Sequence, residues 1–296
     1  MPDRLSVLVT GATGNQGGAI ARSLLSRGHR VRALTRKPGS PAANKLRALG
    51  AEIAVGHMED HDSMTRAIKA MNAVFSVSTP FESGSEAEKI QGTAVANAAK
   101  DAGIHHLVYA SVPRANTNTS VPHFESKAHV ERHIQSINVP WTVLGPTFFM
   151  ENLSGPYFRP GLLEGHFSIP LPPACKLQLI SLQDVAAFAV LVLEQRERFL
   201  GQRIDIAGDE LTPPLIADTL AHVMGRQISY RRKPIEHLRA WSKDLALAYE
   251  WFEREGTQID ISRLKRDYPH IAWHGMRQWA EAQPWDVLTH NAASGG

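Results

Sequence analysis

Leu5-Ser6-Val7-Leu8-Val9-Thr10-Gly11-Ala12-Thr13-Gly14-Asn15-Gln16-Gly17-Gly18 is a short apolar, β-rich run that breaks into three glycines spaced three apart and continues into a helical pattern over Ala19–Leu25. Each glycine has a separate task in a strand–loop–helix of this kind. Gly11 permits the tight turn, Gly14 lets backbone N–H groups approach a pyrophosphate, and Gly17 lets the helix pack closely on the sheet. The helix N-terminus then favours phosphate charge. A bare glycine triplet is weak evidence of a dinucleotide site, so its weight depends on what surrounds it.

Outward from this loop, strand and helix signals alternate. Strands are expected at Leu5–Val9, Arg30–Leu34, Ala51–Val55, Ala73–Val77, His106–Ala110 and Trp141–Leu144, and helices at Ala19–Leu25, Ala42–Leu49, His61–Ala70, Glu86–Ala102 and Phe124–Gln135. Gly28, Gly50 and Gly103 close three of these helices. The rhythm calls for an α/β fold, a doubly wound parallel sheet of Rossmann type, with ligands at the carboxyl ends of the strands. After residue 146 the rhythm gives way to a proline-punctuated, irregular stretch through Pro156, Pro160, Pro170, Pro172 and Pro173. Helices at Asp184–Glu194 and Pro214–Met224, a short strand at Ile204–Ala207 and a mostly helical, aromatic-rich tail follow. The organisation expected is a Rossmann domain over 1–150 and a smaller C-terminal substrate or partner region over 151–296, with residues 178–207 packing back on the Rossmann sheet.

The end of the second strand separates the two nicotinamide dinucleotides. NAD sites usually place a carboxylate about 20 residues beyond the glycine loop. Here the chain reads Thr35-Arg36-Lys37. The Arg36 guanidinium can grip a 2′-phosphate with its planar fork and Lys37 can add a point charge, so NADP(H) is the cofactor expected. Lys and Arg number 32 against 29 acidic residues, too even a balance and too scattered for a nucleic-acid surface. One cysteine, Cys175, permits no internal disulfide and points to a reducing, cytoplasmic compartment. The longest apolar run, Val185–Leu193, is far short of a membrane span.

The chain resembles the NmrA-like family of atypical short-chain dehydrogenase/reductases. The resemblance rests on the loop GATGNQGG at 11–18, TRKPG from Thr35, FSVSTPFE from Phe75, HLVYASV from His106, HFESKAHVE from His123 and GPTFFMENL from Gly145. It runs from residue 5 to about 285. The group contains NADP(H)-responsive redox sensors as well as NADPH-dependent reductases of quinone and isoflavone type. The resemblance implies that Gly11, Gly14 and Gly17, with Thr13, Asn15 and Gln16, hold the pyrophosphate, and that Arg36 and Lys37 hold the 2′-phosphate. It places His57 and Met58, with Glu59, beside the adenine, and Ser78, Thr79 and Pro80 beside the nicotinamide ribose. Lys127 would hold that ribose, and Pro146, Thr147 and Phe148, with Asn152 nearby, would cover the nicotinamide end.

Active reductases of the parent superfamily use a serine and a Tyr-x-x-x-Lys pair. Here the stretch reads His123-Phe124-Glu125-Ser126-Lys127, with Ser111 in the serine's position. Two readings stand side by side. In one, His123 or Lys127 is a general acid and Ser111 an electrophilic donor. In the other, the site is catalytically idle and Lys127 only binds ribose. The resemblance favours a redox sensor acting through a protein partner, with an NADPH-dependent oxidoreductase for a quinone, enone, imine or similar planar electrophile as the alternative. Helix 88–100 offers a homodimer face as one further reading. No metal site is expected: His129 and His133 share a helix face but lack a third ligand.

Overall fold

The computed structural model describes residues 4–285. It runs β1 (Ser6–Val9), α1 (Asn15–Ser26), β2 (Arg30–Thr35), α2 (Pro41–Ala48), β3 (Glu52–Val55), α3 (His61–Ile68), β4 (Ala73–Ser76), α4 (Pro80–Asp101), β5 (His106–Ala110), α5 (Pro122–Ser136) and β6 (Trp141–Pro146). There follow β7 (Phe148–Phe149), α6 (Arg159–Leu163), β8 (His166–Ile169), β9 (Leu177–Ile180), α7 (Leu182–Glu194), α8 (Arg196–Phe199), β10 (Gln202–Ile206) and β11 (Asp209–Leu211). The chain ends its described part with α9 (Pro213–Met224), β12 (Ser229–Arg232), α10 (Ile235–Trp241), α11 (Lys243–Arg254), α12 (Ile261–Asp267) and α13 (Met276–Glu281).

These elements form two compact units. The first holds the chain up to Pro146 together with Val185–Asp205; the second holds Thr147–Asp184 and the chain from Ile206 onward. In the first, a seven-stranded sheet has the order β10-β6-β5-β4-β1-β2-β3, and every pairing from β6 across to β3 is parallel. Every residue of β1, β4 and β5 is buried, as expected of strands covered by helices on both faces. The chain winds outward in both directions from β1 and β4, so the crevice between their carboxyl ends, beyond Val9 and Ser76, is where a doubly wound sheet offers a ligand site.

Helices α4 and α5 pack tightly because Gly92 leaves no side chain in the way: a Cβ there would stand 2.6 Å from Val130. Helix α4 starts at Pro80, six residues before the expected Glu86, since Thr79 caps a first turn that breaks at Gly84 (φ +85°). That break hides the extra turn from any test of helical periodicity.

On β5, His106 is buried, and its ring Nε2 lies 2.8 Å from the Thr142 hydroxyl. The Thr142 hydroxyl donates its own proton to the Phe199 carbonyl at 2.8 Å, so the imidazole must be the donor and its neutral Nε2–H form is the one selected. Burial first, then the Arg196 charge, lowers the His106 pKa from 6.5 to about 4. Between those values the unfolded chain binds the proton and the folded chain does not. The contribution of this residue to stability is therefore constant above about pH 7 and falls as pH drops through the window from 6.5 to 4, by about 3 kcal/mol. Denaturant unfolding at pH 7 and pH 4.5 is expected to show this loss, and to show it reduced by more than half in His106→Gln.

The second unit contains a three-stranded sheet, β11-β9-β7, and a parallel β12–β8 pair. The stretch expected to be irregular after residue 146 thus contains β7, α6 and β8. At two to five residues each, they are too short for a periodic signal. Met150, Leu153, Phe167, Leu179, Leu220, Met276 and Trp279 are among the residues of its core. The C-terminal segment is hooked on by polar contacts: the Asp184 carboxylate accepts from the His274 backbone N–H at 2.9 Å and Asp209 accepts from that of Met276 at 2.7 Å. Of the aromatic tail, Tyr249, Trp251, Trp279 and Trp285 are buried, whereas Trp241 is exposed and stacks on Tyr157. No helix among the described residues is long and apolar enough to cross a membrane.

Candidate functional site

The glycine loop lies at the crevice. Gly11 adopts φ +58° and a Cβ on it would meet the Val77 side chain at 2.7 Å. A Cβ on Gly17 would stand 2.4 Å from the Gly11 carbonyl oxygen and 2.8 Å from that of Thr10. Gly14 is the N-cap of helix α1, which has neither a side-chain cap nor an acidic residue in its first turn, so its first N–H groups are left for an anion. Thr10 fixes the loop to the end of β4. Its hydroxyl donates to the Val77 carbonyl at 2.9 Å and accepts the Val77 N–H at 2.8 Å. Thr13, Asn15 and Gln16 lie on the rim of the cradle, and the buried Gln16 Nε2 has no hydrogen-bond partner.

At the end of β2, Arg36 and Lys37 are both exposed. Arg36 pairs with Glu82 from the first turn of α4. At the end of β3, His57 is exposed and Met58 half-buried; the His57 N–H donates to the Ser63 hydroxyl at 2.9 Å. Beyond β4, Ser78 is buried with its side chain against the Tyr109 phenol, Thr79 is the N-cap of α4 and Pro80 its first residue. Pro146 ends β6 in the first unit, while Thr147 and Phe148 open the second unit, where the Thr147 N–H donates to the Ile206 carbonyl at 3.0 Å.

Lys127 is buried and held on several sides. Its ammonium stands 2.8 Å from the fully buried Glu88 carboxylate, and it donates to the carbonyls of Ser78 at 2.9 Å and Ala110 at 3.2 Å. It also lies 5.5 Å from the centre of the Tyr109 ring. Burial, and then the Glu88 charge, holds the Tyr109 phenol well above its usual pKa. Ser126 Oγ donates to the other side of Glu88. Glu88 was not legible as a site residue, yet its position was informative. It shares a buried helical face with Gly92, Val95, Ala96 and Ala99, and a carboxylate on such a face demands a cation.

Ser111 sits in a different network. Its hydroxyl donates to the buried Glu131, whose other oxygen accepts from Arg203 Nε at 2.9 Å. Arg203 also pairs with Asp205 and donates to the Val112 carbonyl at 2.7 Å. His123 is buried, its ring 4.7 Å from that of Phe124 and 5.9 Å from that of Phe81. Lys127 thus touches the ends of β4 and β5, while the Ser111 proton is directed into the Glu131–Arg203 network. His129 and His133 gain no further ligand: among the described residues no group of three or more His, Cys, Asp or Glu is placed to hold a metal ion.

The model of the NmrA-like family matches residues 4–281. The chain belongs to the NmrA-like family. An NmrA-like family domain-containing protein of Dictyostelium discoideum is 26% identical over 271 residues, covering 84% of this chain and 88% of its own length. In four further NmrA-like and related proteins the match covers only 42%, 51% or 61% of the relative's length. Two solved structures share the fold. NmrA, a negative transcriptional regulator crystallised with NADP, superposes with a TM-score of 0.82 at 20% identity, covering 97% of this chain and 98% of its own. The Citrobacter sp. triphenylmethane reductase, complexed with NADP(H), gives 0.76 at 19% identity, covering 97% and 99%. One of the relatives, from Aspergillus flavus, is named as an NmrA-like family domain-containing oxidoreductase.

Proposed function

We propose that this NmrA-like protein binds NADP(H) and acts as a redox-responsive regulator. The residues fit the group: a glycine cradle that any side chain at Gly17 would fill, an uncapped helix end, and the unpartnered Gln16 Nε2 in the first turn of that helix. In this reading Gly11–Gly17 hold the pyrophosphate, Arg36 and Lys37 the 2′-phosphate, and Ser78 and Thr79 the nicotinamide ribose, with Lys127 fixing the Ser78 backbone through its carbonyl. The bound cofactor would supply hydride chemistry; the chain's own residues supply its placement. The observation that carries the regulatory reading is that Lys127 is held by Glu88 and two carbonyls and Ser111 donates to Glu131. Neither offers a proton to a substrate in this arrangement. Sensing further requires that NADPH and NADP⁺ differ in affinity for two states of the protein.

The second reading is an NADPH-dependent reductase of a quinone, enone, imine or similar planar electrophile. It is favoured by the likeness to triphenylmethane reductase and by a histidine, His123, at the position of the usual acid. Steady-state NADPH oxidation against a panel of such electrophiles, with NADH as control, separates the two. Turnover that depends on His123 makes the protein an enzyme. Tight NADPH binding and a cofactor-dependent change in protease sensitivity, without turnover, support the regulator. On either reading Arg36→Ala is expected to weaken NADPH roughly tenfold to a hundredfold, the worth of a charged hydrogen bond. NADH should change little, and equal losses for both would refute the 2′-phosphate assignment.

A further inference from the structure

The end of β2 lacks the carboxylate that would grip an unphosphorylated ribose, but the fold delivers one from elsewhere. Glu82, forty-six residues further along, reaches from the first turn of α4 to the Arg36 guanidinium. We propose that Glu82 is a specificity-determining residue for the cofactor: it occupies Arg36 until a 2′-phosphate displaces it, and so sets the preference between NADP(H) and NAD(H). This inference rests on the reading of Arg36 as the 2′-phosphate ligand.

Three features support it. Both partners are about half exposed, at 52% and 56% of the side chain, so the pair is a solvent-screened contact that a competing anion can break. Glu82 also stands on a short, exposed turn. Pro80–Ser83 lies between the Thr79 cap and Gly84, whose φ of +85° and ψ of 170° interrupt the helix, and no atom lies within 4 Å of where a Gly84 Cβ would be. Finally, the competition is between like charges. A 2′-phosphate brought to Arg36 meets a carboxylate already there, which repels it, whereas a 2′-hydroxyl is a hydrogen-bond donor that the same carboxylate accepts. Glu82 therefore penalises NADP(H) and tolerates NAD(H). Arg36 favours NADP(H), and the balance of the two sets the selectivity.

The segment carries a second side chain of interest. Phe81, adjacent to Glu82 and 68% exposed, lies 5.9 Å from the His123 ring. The residue just before Glu82 thus lies against His123.

The test is calorimetric titration of the full chain with NADPH and with NADH, for wild type, Glu82→Gln, Glu82→Asp and Arg36→Ala. Glu82→Gln is expected to tighten NADPH roughly threefold to tenfold, as removal of one exposed opposing charge allows. NADH affinity should stay level or fall, so the NADPH:NADH preference rises. Glu82→Asp, which keeps the charge on a shorter stem, should fall between the two. A preference in Glu82→Gln equal to that of wild type, with NADPH still bound and still weakened by Arg36→Ala, overturns this inference and leaves the cofactor reading standing. No NADPH binding to wild type overturns both.

Discussion

Lys127→Met is expected to cost about 3–5 kcal/mol of folding stability, the penalty for leaving one member of a buried ion pair without its partner. Glu88 is fully buried, and its carboxylate stands 2.8 Å from the Lys127 ammonium. Removing the ammonium leaves a negative charge in the packed interface of α4 and α5, with the neutral Ser126 Oγ donating to it. The double substitution Lys127→Met with Glu88→Leu should recover much of the loss, because an apolar pair of similar volume is often close to neutral in place of a buried ion pair. Guanidinium unfolding of both single variants and the double gives the coupling directly. A Lys127→Met variant within about 1 kcal/mol of wild type would refute the pairing. The result bears on any enzymology at this site. Lost turnover in a Lys127 variant assigns no proton donor unless melting temperature and NADPH affinity are shown to survive.

Gly17→Ala is expected to weaken NADPH by up to roughly a hundredfold, equivalent to the about 1–3 kcal/mol that an over-packed methyl costs. The added Cβ would stand 2.4 Å from the Gly11 oxygen and 2.8 Å from that of Thr10. Both are backbone atoms, and Thr10 is bonded twice to Val77, so the strain is relieved by distorting the cradle itself. Gly28→Ala provides the contrast. No atom lies near its Cβ position, although its φ of +86° makes it slightly strained on its own account. It should lower stability modestly and leave NADPH affinity within about twofold. Titration of the two variants side by side checks the point; equal affinities would show that the loop tolerates the methyl.

Features carried by local chemistry were legible in the sequence. The glycine loop, the cationic Arg36 at the end of β2 and the alternation of strands and helices each depend on neighbours within a few residues. Chain winding rules then point to a doubly wound parallel sheet, whereas the order of its strands is a finding of the structure. Partners fixed by tertiary packing were not legible. Glu88 on a buried face of α4 announces a need for a cation but not which one, and Glu131 finds Arg203 seventy-two residues away. Glu82 lay inside a turn that Gly84 disguised as loop, so the carboxylate missing from the end of β2 had no visible substitute. Strands such as Phe148–Phe149 were lost because two residues hold no period.

The first unit is discontinuous in the chain, which has a consequence for synthesis. Its sheet is closed at one edge by β10, which lies beside β6, and β10 ends at Ile206, sixty residues beyond Pro146. Until a ribosome has released that strand, β6 presents an unpaired edge, and Glu131 is without Arg203. Nascent chains interrupted between about 146 and 205 would therefore be the aggregation-prone species of this protein. A truncation at residue 150 should be recovered largely as insoluble material even though it contains the whole glycine loop.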